Sequence, residues 1–264
     1  MKIAIIGTGN LGYSIALGIL SQKNFKFKNL YLTKRNTASL SSWKKFPNVK
    51  ISTDNKKAVR FSDVIIIAVQ PNQLLAILEE IKDIINVKRH TIISVITGRK
   101  INEIEAVIGN KTAIIRSMPN TAISVGQSMT CLSANQKGKE NIEIAKSIFN
   151  SLGKTMCIEE KLMQSATVIC ASGIAFWMRL IRATAQGAVQ LGFHAEEAQE
   201  LAMQTCLGAA SLLIQSGNHP EQEIDKVTTP SGCTIEGLNE MEHQGLSSSI
   251  IKGLVTSFEK INQI

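Results

Sequence analysis

Two short stretches of this chain hold residue types that can do chemistry. The first is Gly7-Thr8-Gly9-Asn10-Leu11-Gly12, directly after the apolar run Lys2-Ile3-Ala4-Ile5-Ile6. A G-x-G-x-x-G turn between a strand and a helix is built to hold a pyrophosphate. Gly7 permits the tight turn, Gly9 exposes bare backbone, and Gly12 lets the helix pack close to the sheet. The helix continuing through Tyr13-Ser14-Ile15 would aim its unpaired N–H groups and positive dipole end at the phosphates. The second stretch is Val227-Thr228-Thr229-Pro230-Ser231-Gly232-Cys233-Thr234, which precedes a helix opening at Ile235. A Ser/Thr/Gly-rich loop that opens a helix offers hydroxyls and several N–H groups at a dipole's positive end. Each stretch also has a plainer reading. The first could be a turn that only packs, and the second a Pro-Ser-Gly turn with a helix N-cap.

The end of the second strand speaks to the nucleotide. It reads Leu32-Thr33-Lys34-Arg35-Asn36-Thr37. An acidic residue there would accept hydrogen bonds from the ribose hydroxyls of NAD and repel a 2′-phosphate. This chain offers no carboxylate, but two cations and several short polar groups. A guanidinium beside hydroxyl donors suits a phosphate dianion. NADP(H) is the preferred cofactor on this reading, with NAD(H) the alternative. The charge distribution agrees. Residues 1–160 carry 23 Lys/Arg against 11 Asp/Glu, and residues 161–264 carry 6 against 10, for a total of +8. A basic first half suits a polyanionic small ligand.

Other reactive residue types lead nowhere comparable. Cys233 has no base placed to activate it and reads as a small liner of the loop. His90, His194, His219 and His243 lack metal-ligand spacing, so no metal is expected. The five cysteines are scattered, with no C-x-x-C pair, which argues against zinc and against a disulfide framework. A reducing, cytoplasmic setting follows, and the start of the chain runs straight into a strand without a secretory signal. The longest tight apolar run, Val64–Val69, has strand length, and no apolar run reaches the ~20 residues of a membrane span. The basic residues are dispersed and aromatics are few, so neither nucleic acid nor membrane is an expected partner. Phe176 and Trp177 read as core or subunit contacts, and Glu159 and Glu160 as favouring a helix start.

The elements that must position these residues follow from the apolar pattern. With 264 residues, 44% hydrophobic and 19% charged, the chain can bury one large core or two modest ones. Strands are predicted at 2–6, 29–33, 64–69, 91–95 and 112–116, with a weaker one at 49–51. Helices are predicted at 10–22, 37–45, 72–86 and 101–108. Strand–helix alternation with non-alternating apolar strands means a parallel sheet covered on both faces. Residues 121–133 and 154–158 can add strands around a helix at Lys137–Ser151 closed by Gly153. From about residue 161 strand patterns vanish. Helical spacing rich in small residues takes over, with a break near Leu191-Gly192-Phe193 and later helices at 235–243 and 247–262. Helices rich in Ala183, Ala185, Gly187 and Ala188 pack closely inside a domain or across a subunit contact. The expected fold is α/β: a Rossmann-type, mostly parallel sheet domain (1–160) followed by an all-α domain (161–264).

Two further segments complete a pattern. They are Ile115-Arg116-Ser117-Met118-Pro119-Asn120-Thr121 and Ala171-Ser172-Gly173-Ile174-Ala175-Phe176. In order with the glycine turn and the Thr228–Thr234 loop, they resemble the pyrroline-5-carboxylate reductase family from residue 1 to about 260. Asp63–Pro71 and Thr53-Asp54-Asn55 also fit it. The resemblance implies reduction of a small cyclic imine carrying a carboxylate, the last step of proline biosynthesis. It implies that Gly7, Gly9, Asn10, Leu11 and Gly12 line the pyrophosphate, and that Arg35 and Asn36 meet the adenosine phosphate. Asn55, Ala68 and Pro71 would contact the cofactor, with Met118, Pro119 and Asn120 near the nicotinamide. Thr229, Ser231, Gly232, Cys233 and Thr234 would hold the substrate, and the Thr234 hydroxyl would face the ring nitrogen. The helical domain would bind substrate and form a homodimer or a larger ring of dimers.

Three segments depart from the family pattern. Gln70 stands where a lysine is usual, which removes a charge beside the cofactor. Ile174 replaces a proline and restores a backbone donor. The last loop has Ser231 and Cys233 where glycine and a small residue or threonine are common, and Ser231 is awkward if that position needs φ > 0. These departures leave two rivals: a same-fold reductase for another imine or a 2-oxo acid, and a non-catalytic NADP-binding regulatory protein.

Overall fold

The computed structural model describes residues 1–22 and 25–261, so the helix end expected at 262 falls outside the described residues. Eight strands form one sheet: β1 (Lys2–Ile6), β2 (Asn29–Thr33), β3 (Val49–Ser52), β4 (Val64–Ile67), β5 (Thr91–Ser94), β6 (Ala113–Met118), β7 (Ser128–Ala134) and β8 (Gly153–Cys157). Their order is β3-β2-β1-β4-β5-β6-β7-β8. Every neighbouring pair is parallel except β6 and β7. All four residues of β4 and β5 are buried, as a sheet covered on both faces requires.

Helices cover the two faces. They are α1 (Asn10–Ser21), α2 (Asn55–Arg60), α3 (Leu74–Ile81), α4 (Ile101–Ile108), α5 (Gln136–Glu140), α6 (Ile142–Asn150) and α7 (Met163–Ala166). On one face Ile15 and Ile19 of α1 and Phe149 of α6 pack with Ile3, Ile5 and Ile66. On the other, Leu74, Leu78 and Ile81 of α3 and Ile104 of α4 pack with Ile65, Ile67 and Ile92. Alternate strand residues thus feed opposite cores.

Several expected elements take a different form. Ala38–Lys45 is a 3-10 helix; its buried Leu40 and Trp43 are three residues apart, the period of that helix. The helix expected over 137–151 is two, broken at Asn141, and Gly153 opens β8 at φ +147° instead of closing a helix. The helix expected over 72–86 is regular only over α3, with 3-10 turns at Pro71–Gln73 and Lys82–Ile84. Thr121–Val125 is also a 3-10 turn ahead of β7. The short α2 was not anticipated; Asp54 caps it by accepting from the Lys57 amide at 2.9 Å.

The chain forms two compact units. The first is Met1–Ser172 with Lys260 and Ile261, and the second is Gly173–Glu259. Thr167–Ser172, at the end of the first, is a π-helical turn. The second unit contains α8 (Gly173–Gln190), α9 (Ala195–Ser216), α10 (Pro220–Val227), α11 (Cys233–His243) and α12 (Leu246–Ile261). Its buried contact is built from small residues: Ala185, Ala198 and Ala202, with Ile181 and Ala188 against them. Large apolar side chains such as Trp177, Met178 and Ile214 stay exposed in the single chain.

One expectation about membranes needs correcting. The continuous helical stretch Glu160–Gln190 is long and apolar enough to cross a bilayer by length and composition, with mean hydropathy 1.3 over an 18-residue window. Its apolar runs are short, Val168–Ala171 and Ile174–Met178, and small and polar residues separate them, so neither reaches span length alone. All five cysteines are free thiols.

Candidate active site

The sheet order reverses between β1 and β4, which opens a crevice at their carboxyl ends. A cavity of about 640 Å³ lies there. It is lined by the first turn (Ile6 to Gly9), the end of β2 (Thr33 to Asn36), Thr53 and Asn55, and the end of β4 (Ala68 to Gln70). Gln73 and Ile77 complete it. The three glycines of the turn do different work. Gly7 sits at φ +90°, and a Cβ there would lie 2.6 Å from Val69 Cγ1 and 2.7 Å from the Ala68 carbonyl oxygen. A Cβ on Gly12 would overlap the Gly7 carbonyl oxygen. Gly9 has nothing within 4 Å of its Cβ position and caps α1 without a side-chain bond. The backbone is therefore bare where a diphosphate would approach the helix start. The lining holds Lys34 and Arg35 and no carboxylate. These residues fit a phosphorylated dinucleotide.

A hydrogen-bonded frame holds the crevice. The Thr33 carbonyl accepts from the Gly7 amide (3.2 Å), the Thr8 amide (2.9 Å) and the Thr8 hydroxyl (3.1 Å). The Thr33 hydroxyl donates to Asn55 Oδ1 at 2.7 Å, and Asn55 Nδ2 donates to Glu80 Oε2 at 2.9 Å. Lys34 Nζ donates to Ser39 Oγ at 2.8 Å, while Arg35 and Asn36 are exposed. Asn36 Oδ1 accepts from the Ala38 amide at 3.0 Å, which shapes the loop after β2.

The structure brings Gly7, Gly9, Arg35, Asn36, Asn55 and Ala68 together around one cavity. It leaves other expected residues outside that lining. Leu11 packs against the apolar cluster beneath α1. The Pro71 carbonyl accepts from Arg99 Nε at 3.1 Å. Met118 is buried with Cys131 and Met163, and Pro119 is buried beside it. The Asn120 amide has structural partners: Oδ1 accepts from the Ala122 amide at 3.0 Å, and Nδ2 donates to the Cys170 carbonyl at 2.9 Å. Lining residues absent from the set that the resemblance implies are Ile6, Thr8, Thr33, Lys34, Thr53, Val69, Gln70, Gln73 and Ile77. Their main signal is position, at strand ends, in the glycine turn, in the 3-10 turn at Pro71–Gln73 and on α3.

The second stretch is a tight turn. The Gly232 amide donates to the Thr229 carbonyl at 2.9 Å. Pro230 fills the second position, and Ser231, in the third, sits at φ 57°. That is the turn that favours glycine at its third position, and Ser231 alone among non-glycine described residues adopts positive φ. Gly232 caps α11 with no side-chain bond, which leaves the first-turn amides of Cys233 and Thr234 open. Thr234 is half-buried, and Thr229, Ser231 and Cys233 are exposed. No cluster of metal-ligating side chains occurs among the described residues.

A switch-point cradle of glycine backbone, two cations and no acid, on a mostly parallel sheet, defines a dinucleotide-binding protein of the Rossmann class. Residues 2–98 match a family model described as NADP oxidoreductase, coenzyme F420-dependent, and residues 160–264 match one described as pyrroline-5-carboxylate reductase dimerisation. Pyrroline-5-carboxylate reductase 2 of Dictyostelium discoideum is 43% identical over 98% of this chain and 91% of the relative. Pyrroline-5-carboxylate reductase 1 of the same organism is 46% identical over 98% of this chain, which spans 49% of that longer relative. The crystal structure of Plasmodium falciparum pyrroline carboxylate reductase with NADP bound superposes with a TM-score of 0.87 at 26% identity, covering 99% of this chain and 97% of that one. The chain belongs to the pyrroline-5-carboxylate reductase family. It is an NAD(P)-type oxidoreductase of the CH–NH class whose helical region is a dimerisation domain, so it acts on a small molecule as an oligomer.

Proposed function

We propose that the glycine-turn cavity and the Thr229–Thr234 turn serve one reaction. The chain reduces 1-pyrroline-5-carboxylate to L-proline with NADP(H), preferred over NAD(H). The observation that carries this is the acid-free cradle bearing Lys34 and Arg35 in a chain of this family. When bound, the cofactor supplies a hydride from nicotinamide C4. The chain's own residues bind and orient. Gly7, Gly9, Asn10, Leu11 and Gly12 surround the diphosphate, and Arg35 and Asn36 take the adenosine phosphate. Asn55, Ala68 and Pro71 lie along the cofactor. Met118, Pro119 and Asn120 form a rigid wall toward the nicotinamide end.

At the turn, the substrate carboxylate is held by the Cys233 and Thr234 amides with the Thr229 and Ser231 hydroxyls. The Gly232 amide is already engaged by the Thr229 carbonyl at 2.9 Å, so Gly232 contributes space instead of a donor. A Cβ there would crowd the Thr229 hydroxyl. Thr234 Oγ1 hydrogen-bonds the ring nitrogen, directly or through a water, and relays its proton. No strong acid is needed, because a protonated imine already accepts hydride. The working form is a homodimer or a ring of dimers with the substrate site between subunits, in the cytoplasm. Uncovered apolar side chains such as Trp177 support a buried subunit contact.

The test is NADPH oxidation with pyrroline-5-carboxylate beside other cyclic imines and 2-oxo acids. Thr234→Ala is expected to lose about 10²-fold in kcat, the range of a proton relay, with the NADPH KM retained. A parent-like rate in that variant refutes the role of the hydroxyl. Faster turnover of another substrate class moves the assignment to that class, and NADPH binding without turnover points to a regulatory protein.

A further inference from the structure

We propose that Glu80 is a positioning residue for NADP(H): its carboxylate fixes the orientation of the Asn55 amide and makes Asn55 a hydrogen-bond donor toward the cavity. This rests on the reading of that cavity as the cofactor site.

The Asn55 amide meets two neighbours with different demands. Glu80 Oε2 lies 2.9 Å from one end and Thr33 Oγ1 lies 2.7 Å from the other. An ionised carboxylate only accepts, so the end facing Glu80 must be the NH2 group. A hydroxyl donates or accepts and tolerates either end. Glu80 therefore decides the orientation, and Thr33 follows it by donating to Oδ1. The consequence reaches the cradle, because Thr33 is buried and its carbonyl holds the Gly7 and Thr8 amides.

Asn55 lines the cavity and keeps a second N–H that has no partner among the described residues. In this orientation it offers a donor to a phosphate or ribose oxygen. Reversed, the amide would present its carbonyl oxygen, which repels an anionic oxygen. The half-buried Glu80 carboxylate itself opposes a polyanion nearby, so its presence there calls for a gain elsewhere. It lies on the same face of α3 as the lining residue Ile77, three positions back, which suits action through Asn55 at the cavity's edge.

The experiment compares Glu80→Leu, Glu80→Gln, Asn55→Ala and the Glu80→Leu/Asn55→Ala double variant. Each is measured for NADPH KM, NADPH affinity by fluorescence, and kcat at saturation. Glu80→Leu is expected to raise KM about 5–10-fold, the effect of one misdirected hydrogen bond, with kcat within about twofold. Glu80→Gln, which retains an acceptor, should rescue KM to within about twofold. The double variant should be no worse than Asn55→Ala, because both changes remove the same donor. Weakened binding in Asn55→Ala with parent-like Glu80→Leu overturns the role of Glu80 and leaves the cavity reading standing. Parent-like binding in both Asn55→Ala and Glu80→Leu overturns the cavity reading and the proposal with it. A Glu80→Gln variant as poor as Glu80→Leu overturns the orientation mechanism, since charge and not acceptance would then matter.

Discussion

Gly9 and Gly12 sit three residues apart in one turn, yet alanine should affect them in opposite ways. At Gly12 an added Cβ would overlap the Gly7 carbonyl oxygen and lie 3.2 Å from its carbon and 3.3 Å from Ala68 Cβ. All three belong to the half-buried residues Gly7 and Ala68, just past the ends of the central strands β1 and β4, and two are backbone. Clearing them means moving α1 by about 1 Å in an interior packed too densely to yield. Overpacking of this kind costs about 1–3 kcal/mol, and the backbone obstacle places Gly12→Ala at the upper end. For a domain of this size about 3 kcal/mol lowers Tm by about 6–12 °C. A shift of about 1 Å beneath the cofactor site also costs about 10²-fold in kcat/KM.

Gly9 is the contrasting case. Its φ of −80° suits any residue, and its Cβ position is open to 4 Å. Gly9→Ala should therefore keep the fold, with a stability change below about 1 kcal/mol at the N-cap. The methyl would occupy the space where phosphate approaches the amides. Losing one charge-assisted bond of about 1.5–3 kcal/mol raises the NADPH KM by about 10–100-fold. Thermal unfolding and NADPH titration of the two variants give the answer. A parent-like Tm for Gly12→Ala, or a parent-like KM for Gly9→Ala, would refute the division of labour within the turn.

Arg35→Ser is expected to raise the NADPH KM about tenfold and leave the NADH KM unchanged, because only the extra phosphate needs the guanidinium. Equal losses with both cofactors would count against that contact. Stability should also vary with pH through His90. Burial, followed by the nearby Arg89 charge, holds its imidazole below the ordinary value, and its Nε2 has no partner. Below about pH 6.5 the unfolded chain takes up a proton that the folded chain refuses, so stability declines as pH falls from there through the folded value. Tm measured from pH 8 to 5 should decline more steeply in the parent than in His90→Gln, and equal slopes would exclude His90 as the source. Asp63 acts at lower pH. Burial raises its carboxyl, but the Lys2 amide and Arg89 outweigh that and hold it below the usual range. Its contribution is present above about pH 3.9 and is lost as pH falls through its folded value, so Asp63→Asn should flatten the acid limb of the same curve.

The parallel sheet was legible because its central strands are buried on both faces. Val64–Ile67 is apolar at every position, and a run of four β-branched residues in a strand-helix alternation has few other readings. Elements held by polar side chains were harder to read. The Asp54 cap of α2, the break at Asn141 and the 3-10 geometry around Leu40 and Trp43 depend on local bonds that apolar periodicity does not carry. Glu160–Gln190 reaches span length only when its short apolar runs, Val168–Ala171 and Ile174–Met178, are averaged with the small residues between them.

The two halves of the site differ in the same way. A phosphate cradle made of main chain must use glycine, so Gly7, Gly9 and Gly12 advertise it in the sequence. Where a side chain faces is decided by residues distant along the chain. Asn55 depends on Thr33, 22 positions back, and on Glu80, 25 positions on. Asn120 is held by the Cys170 carbonyl, 50 positions away, which accepts from its Nδ2. The Thr229–Gly232 turn lies between these extremes. Proline followed by a residue at positive φ was foreseeable, and Ser231 does take φ 57°, a conformation that costs a non-glycine residue about 1–2 kcal/mol. The same turn takes the Gly232 amide out of the donor set, which no reading of residue types could anticipate. Backbone grips are thus written in glycine spacing, whereas side-chain donors become assignable only once the sheet has brought their partners alongside.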